Sequence, residues 1–290
     1  MKPLNLGIPK GSLEDATIKL FRRAGWKISG SSRSYIPTID DDDISCKLAR
    51  PQEMSRYVQS GALDAAITGS DWTLENESDV AVIADLVYSR ISFLPTKWVL
   101  AVKNDSPVQK AEDLEGGVIA TEFVKSTERY FTDKGTSVQV EFSWGATEAK
   151  AAEGLVDAIV DVTETGSTLR ANGLRIVDTL TMSNPQLIAN HESYKNPEMR
   201  AKIDQIALLL RGALEAESRV GLKLNIPKDR IESILELLPS ITAPTVANLY
   251  GKDWFSVEIV VAKVEVRDLI PRLRERGAEG IIEYPLTKIV

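Results

Sequence analysis

At 290 residues the chain has the length of about two average domains and ample material for a buried core, and its single cysteine, Cys46, excludes an intramolecular disulfide framework or a cysteine-built metal cluster. With 43% hydrophobic and 27% charged residues, the composition excludes disordered and fibrous classes. The formal net charge of −7 would repel nucleic acid and anionic membranes, so any phosphate the chain binds must be held by a local site.

The sequence enters a strand at once, through Met-Lys-Pro-Leu-Asn-Leu-Gly-Ile-Pro-Lys-Gly-Ser. It starts with no apolar export segment and has no later run long enough to cross a bilayer, which predicts a cytoplasmic protein with no membrane partner. Residues 4–8 read as a strand, Lys10-Gly11-Ser12 as a turn, and Ser12 as the cap of a helix that runs through Phe21 and stops at Gly25. Residues 44–49 read as a second strand, 52–60 as a helix ended by Gly61, and 65–68 as a buried strand entering Gly69-Ser70-Asp71. Strand, helix and strand in this rhythm imply a mainly parallel sheet whose ligand loops lie at the carboxyl ends of strands, where both turns fall.

A second α/β unit begins with the strand at 98–103. It continues through a helix opened by Ser106-Pro107, the Gly116-Gly117 turn, a strand at 118–121, an amphipathic helix at 126–134, a strand at 138–142 and a helix at 147–153. Residues 187–189 are apolar again, as expected if the chain returns to the first unit. Two lobes joined by crossing segments leave a cleft between them, the usual place for a small ligand. From residue 213 the pattern becomes βαββαβ, a ferredoxin-like unit of about 75 residues without a catalytic cluster. The expected division is 1–97 plus 183–212, 98–182, and 213–290.

The most informative segment is 157–168, Asp-Ala-Ile-Val-Asp-Val-Thr-Glu-Thr-Gly-Ser-Thr. A short apolar strand ends in an acid and runs into a turn of hydroxyls and one glycine. Gly166 lets backbone approach an anion, while Thr163, Thr165, Ser167 and Thr168 supply hydroxyl donors beside main-chain N–H groups of a following helical turn. Asp161 stands where sugar hydroxyls would lie, so a ribose 5-phosphate satisfies both parts. An isolated Thr-Gly-Ser-Thr is as often only a polar turn. His191, the only histidine, lies in a polar stretch without an evident acid–base partner and reads as a solvated loop residue.

Together these segments resemble the ATP phosphoribosyltransferase family in its long form, with a carboxyl-terminal regulatory domain. Glu148, Gly154, Asp157, Ile159, Asp161, Thr165, Gly166, Thr168 and Leu169 stand at the family's signature spacing. Weaker agreements run through residues 8–13, 48–51, 61–64, 67–71, 119–121, 129–131 and 243–245. Phe93-Leu94-Pro95-Thr96-Lys97 and Glu122-Phe123 depart from the family pattern near the hinge.

The resemblance implies an α/β fold: a two-lobed, periplasmic-binding-protein-like catalytic core with a C-terminal ferredoxin-like domain. It implies transfer of the 5-phosphoribosyl group of phosphoribosyl pyrophosphate to N1 of ATP with Mg²⁺ required, the first step of histidine biosynthesis, inhibited by histidine. The loop at Thr163, Glu164, Thr165, Gly166, Ser167 and Thr168 would hold the 5-phosphate, and Asp161 the ribose hydroxyls. Lys10 and Arg50, with Gly11, Ser12, Gly69 and Asp71, would line the ATP side of the cleft. Asp71 has a helix cap as its alternative role. Glu148 is a cap candidate as well. Mg²⁺ would arrive on substrate phosphates without an assigned protein ligand. Asn225, Thr245, Ala278 and Gly280 match the family's histidine pocket at subunit contacts, in a homo-oligomer that shifts between dimer and hexamer.

Two other readings share the architecture. A prephenate dehydratase-like enzyme would have no use for the hydroxyl-rich turn, because its substrate carries no phosphate. A small-ligand-binding protein of the solute-binding kind predicts an export signal and no appended domain.

Overall fold

The computed structural model describes residues 2–30, 36–88, 95–239 and 243–290. Of the hinge-side departure at 93–97, Phe93 and Leu94 lie outside the described residues. The first sheet starts with β1 (Leu4–Pro9), followed by α1 (Glu14–Ala24), the small hairpin β2 (Ile28–Ser29) and β3 (Thr38–Ile39), and then β4 (Ile44–Ala49). Helix α2 (Pro51–Gln59), β5 (Ala65–Gly69), α3 (Ser70–Glu75) and β6 (Ala81–Asp85) complete this stretch. The strand order is β4-β1-β5-β12-β6, where β12 is Pro185–Ala189, returning from far along the chain and lying antiparallel to β5 and β6.

Every residue of β5 is buried, as befits a central strand covered on both faces. Gly7 in β1 has no room for a side chain: a Cβ there would meet Met54 Sδ at 2.5 Å. That close approach lets Met54 and Val58 of α2, both fully buried, lie on the sheet with Leu63, Ala66 and Ile188. Met54, Val58, Leu63 and Ile188 each contribute about 1.5–3 kcal/mol of burial.

The second sheet follows the same plan. It contains β7 (Thr96–Lys103), β8 (Val118–Thr121), α4 (Val124–Asp133), β9 (Gln139–Phe142), α5 (Thr147–Ala152), β10 (Ala158–Thr163), α6 (Ser167–Ala171) and β11 (Leu174–Ser183). Its order is β11-β7-β10-β8-β9, with β7 antiparallel to both neighbours. Both sheets are thus mainly parallel, each with one reversed strand. Asn184 alone separates β11 from β12. Its carbonyl accepts the Ser70 N–H at 3.0 Å, and its Nδ2 donates to Asp85 Oδ1 at 3.1 Å.

Several expectations need correcting. Ser106-Pro107 opens no helix; a 3-10 turn at Ala111–Leu114 stands there, since a Pro-anchored loop closes on Asp113 before a helical turn can propagate. Helix α1 begins at Glu14 rather than after Ser12, and the Glu14 carboxylate accepts the Gly11 N–H at 3.3 Å. His191 is not in a loop: it opens α7 (His191–Lys195), capped by Asn190, and its Nε2 lies 2.9 Å from Asp79 Oδ1. The helix at Pro197–Glu217, α8, had no counterpart in the sequence reading.

By compactness the chain divides into one unit of Met1–Lys19 with Trp26–Ala207, and another of Leu20–Gly25 with Leu208–Val290. In the second, β13 (Arg219–Pro227), α9 (Ile231–Leu235), β14 (Thr245–Asn248), β15 (Trp254–Ala262), α10 (Lys263–Glu275) and β16 (Glu279–Pro285) form the antiparallel order β14-β15-β13-β16. That is the ferredoxin-like βαββαβ arrangement, with Leu222, Leu224, Val257, Leu269 and Leu273 in its core. Among the described residues no helix is long and apolar enough to cross a membrane.

Candidate active site

Three apolar residues, Ala158, Ile159 and Val160, bury β10 between β7 and β8, and this fixes where the strand's carboxyl end emerges. Asp161 follows immediately. Its Oδ1 accepts the Val162 N–H at 2.7 Å, and burial, reinforced by the charges of Glu148 and then Glu122, pushes its carboxyl up to about 7. An acid held that close to neutrality by its surroundings is a functional-site signal that also rests here on position at a strand end.

The turn beyond it is organised by its own hydroxyls. Thr163 Oγ1 accepts the Gly166 N–H at 2.8 Å, Thr165 Oγ1 donates to Ser167 Oγ at 3.1 Å, and Arg170 Nη1 donates to the Thr165 carbonyl at 3.0 Å. Gly166 takes φ 74°, and a Cβ there would stand 3.0 Å from Arg170 Nη1 and 3.2 Å from Ile176 Cδ1. The left-handed backbone favours glycine here, and a side chain would have to displace Arg170 and Ile176. With Gly166 as N-cap, α6 aims its first-turn N–H groups beside the hydroxyls of Ser167 and Thr168. Glu164 lies in the same turn and is half-buried.

Lys10 and Arg50 come together on the other sheet, at the ends of neighbouring parallel strands: Lys10 N–H donates to the Ala49 carbonyl at 2.8 Å. The Arg50 guanidinium passes over Gly11, 3.3 Å from where a Cβ would sit, and Gly11 adopts φ 112°. Arg50 is the residue before α2, whose first position is Pro51. Ser12 is exposed in the turn beside them.

Gly69 and Asp71 form a different arrangement. Asp71 is buried and its Oδ1 would lie 2.0 Å from a Cβ on Gly69, so the carboxylate folds back over its own turn. Its Oδ2 accepts Trp98 Nε1–H at 2.7 Å, its Oδ1 accepts the Trp72 N–H at 2.9 Å, and its own N–H donates to Ser183 Oγ at 3.3 Å. Burial raises its carboxyl. These bonds tie the two sheets where the chain crosses, and Trp72, Trp98 and Phe123 pack beside them.

Sequence reasoning assigned no role to three residues that the folded chain brings into play. Glu122, at the end of β8, reaches the Asp161 environment and accepts Gln52 Nε2–H at 3.3 Å. Glu75 of α3 accepts the first-turn N–H groups of Lys125 and Ser126, both at 2.9 Å, and so caps α4 from the other sheet. Glu77 pairs with Lys125 at 3.0 Å and Arg129 at 2.8 Å. The strand-end rule that found Asp161 applies equally to Glu122; nothing in local spacing points Glu75 at α4.

In the second unit, Gly280 at φ 56° would bring a Cβ within 3.0 Å of Asn225 Nδ2, and Ala278 is buried next to them. Thr245 stands apart: β14 is two strands from β13, roughly 10 Å, and it pairs with Glu258. Among the described residues, no group of three or more His, Cys, Asp or Glu side chains could hold a metal ion.

Comparison with known proteins bears on the whole chain. The family model described as ATP phosphoribosyltransferase matches residues 50–212, and the model of its C-terminal domain matches 216–288. The ATP phosphoribosyltransferase of Solidesulfovibrio magneticus is 60% identical over 287 residues, covering 99% of this chain and 98% of that protein. ATP phosphoribosyltransferase 1 of Geobacter sulfurreducens is 57% identical, with 99% of each covered. A solved chain from the ATP phosphoribosyl transferase HisG:HisZ complex of Thermotoga maritima superposes with a TM-score of 0.63 at 28% identity, over 74% of this chain and 99% of that one. With the acid-and-hydroxyl turn of β10 standing in two matched lobes ahead of a matched C-terminal domain, the chain belongs to the ATP phosphoribosyltransferase family.

Proposed function

We infer that this chain transfers the 5-phosphoribosyl group of phosphoribosyl pyrophosphate to N1 of ATP, giving phosphoribosyl-ATP and pyrophosphate, the first step of histidine biosynthesis. The observation that carries the reading is the turn after β10, where a near-neutral carboxyl, four hydroxyl-bearing residues and a left-handed glycine meet at a helix start. In the reaction the N1 lone pair forms the N–C1′ bond as the bond from C1′ to pyrophosphate oxygen breaks. Positive charge builds on the ribose, and no protein nucleophile is needed. The work of the chain is alignment and electrostatics.

In this reading Thr163, Glu164, Thr165, Gly166, Ser167 and Thr168 seat the 5-phosphate, and Asp161, once ionised, accepts from the ribose hydroxyls. Lys10 and Arg50 grip polyphosphate oxygens, Arg50 as a planar fork and Lys10 as a point charge. Gly11, Ser12 and Gly69 line that side. Asp71, bound to Trp98, acts on the cleft through the position of the two sheets. Mg²⁺ would arrive with the substrate phosphates and neutralise part of their charge, with Lys10 and Arg50 supplying the protein's own positive charge. The reading takes 1–97 with 183–212 and 98–182 as catalytic lobes, 213–290 as the regulatory unit, and a cytoplasmic setting in which ATP is available. Histidine is the expected inhibitor, seated by Asn225, Ala278 and Gly280 of one protomer together with Thr245 from a neighbour, because Thr245 lies too far along its own sheet to complete the pocket.

The test is an absorbance assay for phosphoribosyl-ATP with purified protein, ATP, phosphoribosyl pyrophosphate and Mg²⁺. Wild type should turn over, while Asp161→Ala and Gly166→Val should each lose at least about 100-fold in kcat/KM for phosphoribosyl pyrophosphate with unchanged far-UV circular dichroism. Near-normal rates in either variant refute the assigned turn.

A further inference from the structure

Trp144 is 91% exposed, an unusual placement for the largest apolar side chain. The residues around it are not loose. Ser143 is fully buried, its N–H donates to the Thr121 carbonyl at 2.9 Å, and its Oγ shares a hydrogen bond with Thr147 Oγ1 at 2.8 Å and accepts from Lys150 Nζ at 2.8 Å. Gly145 at φ 123° and Ala146 at φ 50° then carry the chain into α5. A non-glycine residue held left-handed next to a glycine is backbone strain of the kind that accumulates at working sites. The ring of Phe142 meets the indole at 4.8 Å and 78°, steadying it edge to face without stacking over it.

Resting on the reaction proposed above, we propose that Trp144 is a stacking platform for the adenine ring of the nucleotide substrate. Its position follows from strand register. Phe142 pairs with Thr121, and Thr121 with Val160, so these three residues stand level across parallel β9, β8 and β10. Trp144 lies two residues beyond that line and Asp161 one residue beyond it, on the same end of the sheet and two strand spacings apart, roughly 10 Å. A purine stacked on the exposed indole at this rim of the sheet is long enough to span that distance toward the ribose carbon beside Asp161.

Charge selects which end of the nucleotide belongs there. Asp161, Glu148 and Glu122 gather at this end of the sheet and offer acceptors to a base whose exocyclic amine is a donor. The cations Lys10 and Arg50 stand on the other sheet for the phosphates. The same α5 turn that projects Trp144 also delivers Glu148 toward Asp161, so the aromatic and acidic features are set by one piece of backbone.

The experiment compares wild type, Trp144→Ala and Trp144→Phe in steady-state kinetics with both substrates, in indole fluorescence titrated with ATP, and in sedimentation velocity. The expected result is a KM for ATP raised about 10-fold or more in Trp144→Ala, a KM for phosphoribosyl pyrophosphate within twofold of wild type, and recovery of most of the loss in Trp144→Phe. ATP should also quench wild-type emission, and Trp144→Phe should remove that quenching. An unchanged ATP KM, an equal rise for both substrates, or a changed sedimentation coefficient in Trp144→Ala overturns the proposal, the last by assigning the indole to a subunit contact. If wild type gave no phosphoribosyl-ATP yet ATP still quenched Trp144, the stacking would stand and the reaction would fall; absence of quenching in wild type overturns the stacking itself.

Discussion

Asp161 is asked to be ionised in the place where ionisation is hardest. Burial is the largest cause, and Glu148 and Glu122 add repulsion, so its carboxyl titrates at about 7 in the ligand-free fold against about 4 in an unfolded chain. The folded state therefore holds a proton that the unfolded state has released between these values, and stability falls as pH rises through that window. Asp161→Asn should melt higher than wild type at pH 8 by about 3–6 °C, with the gap closing as pH falls toward 4, while turnover is lost. Thermal denaturation at a series of pH values checks this; equal melting temperatures at pH 8 would remove the strain from the site. The placement of Asp161 was legible in sequence because a strand, an acid and a hydroxyl turn are consecutive. The surroundings of Asp71 were not, since Trp98 and Ser183 reach it from 27 and 112 residues away.

At the scale of elements, α4 begins without a cap of its own: Phe123 precedes it and supplies no side-chain hydrogen bond. Glu75 takes that place from α3, with one carboxylate oxygen on each of two first-turn N–H groups, and Glu77 adds Lys125 and Arg129. The negative charge sits at the positive end of α4's dipole, an arrangement worth about 0.5–2 kcal/mol. This joins the two sheets near Asp71 and the aromatic cluster. Glu75→Ala should cost about 1–2 kcal/mol in urea unfolding and raise both substrate KM values together, because it loosens the lobes and touches neither ligand. A change in only one KM would mean that Glu75 contacts that ligand. Strand identities and their order along the chain were readable from apolar runs and glycine stops. The capping of α4 by Glu75 of α3 was not, as a Glu near a helix end carries no mark of a partner 50 residues later.

For the molecule as a whole, the second unit offers an exposed edge strand, β14, with Thr245 at its start. If histidine bridges protomers there, Thr245→Ala should weaken histidine inhibition at least about 10-fold while the uninhibited rate stays within twofold, and analytical ultracentrifugation with histidine should show less of the larger assembly. Unchanged inhibition would move the sensor elsewhere. The antiparallel βαββαβ arrangement of β13 to β16 was visible in the change of rhythm after residue 213. The long helix α8 that precedes it was not, because no turn or ligand motif drew attention to that stretch.

Asn184 is the only residue between the last strand of one sheet and the inserted strand of the other, and its backbone and side chain are both fastened to the first sheet. Rotation between the lobes on that path has no slack loop in which to dissipate. A change of backbone torsion at Asn184 is carried directly into both β11 and β12. Lengthening this joint would uncouple the halves rather than merely relax them.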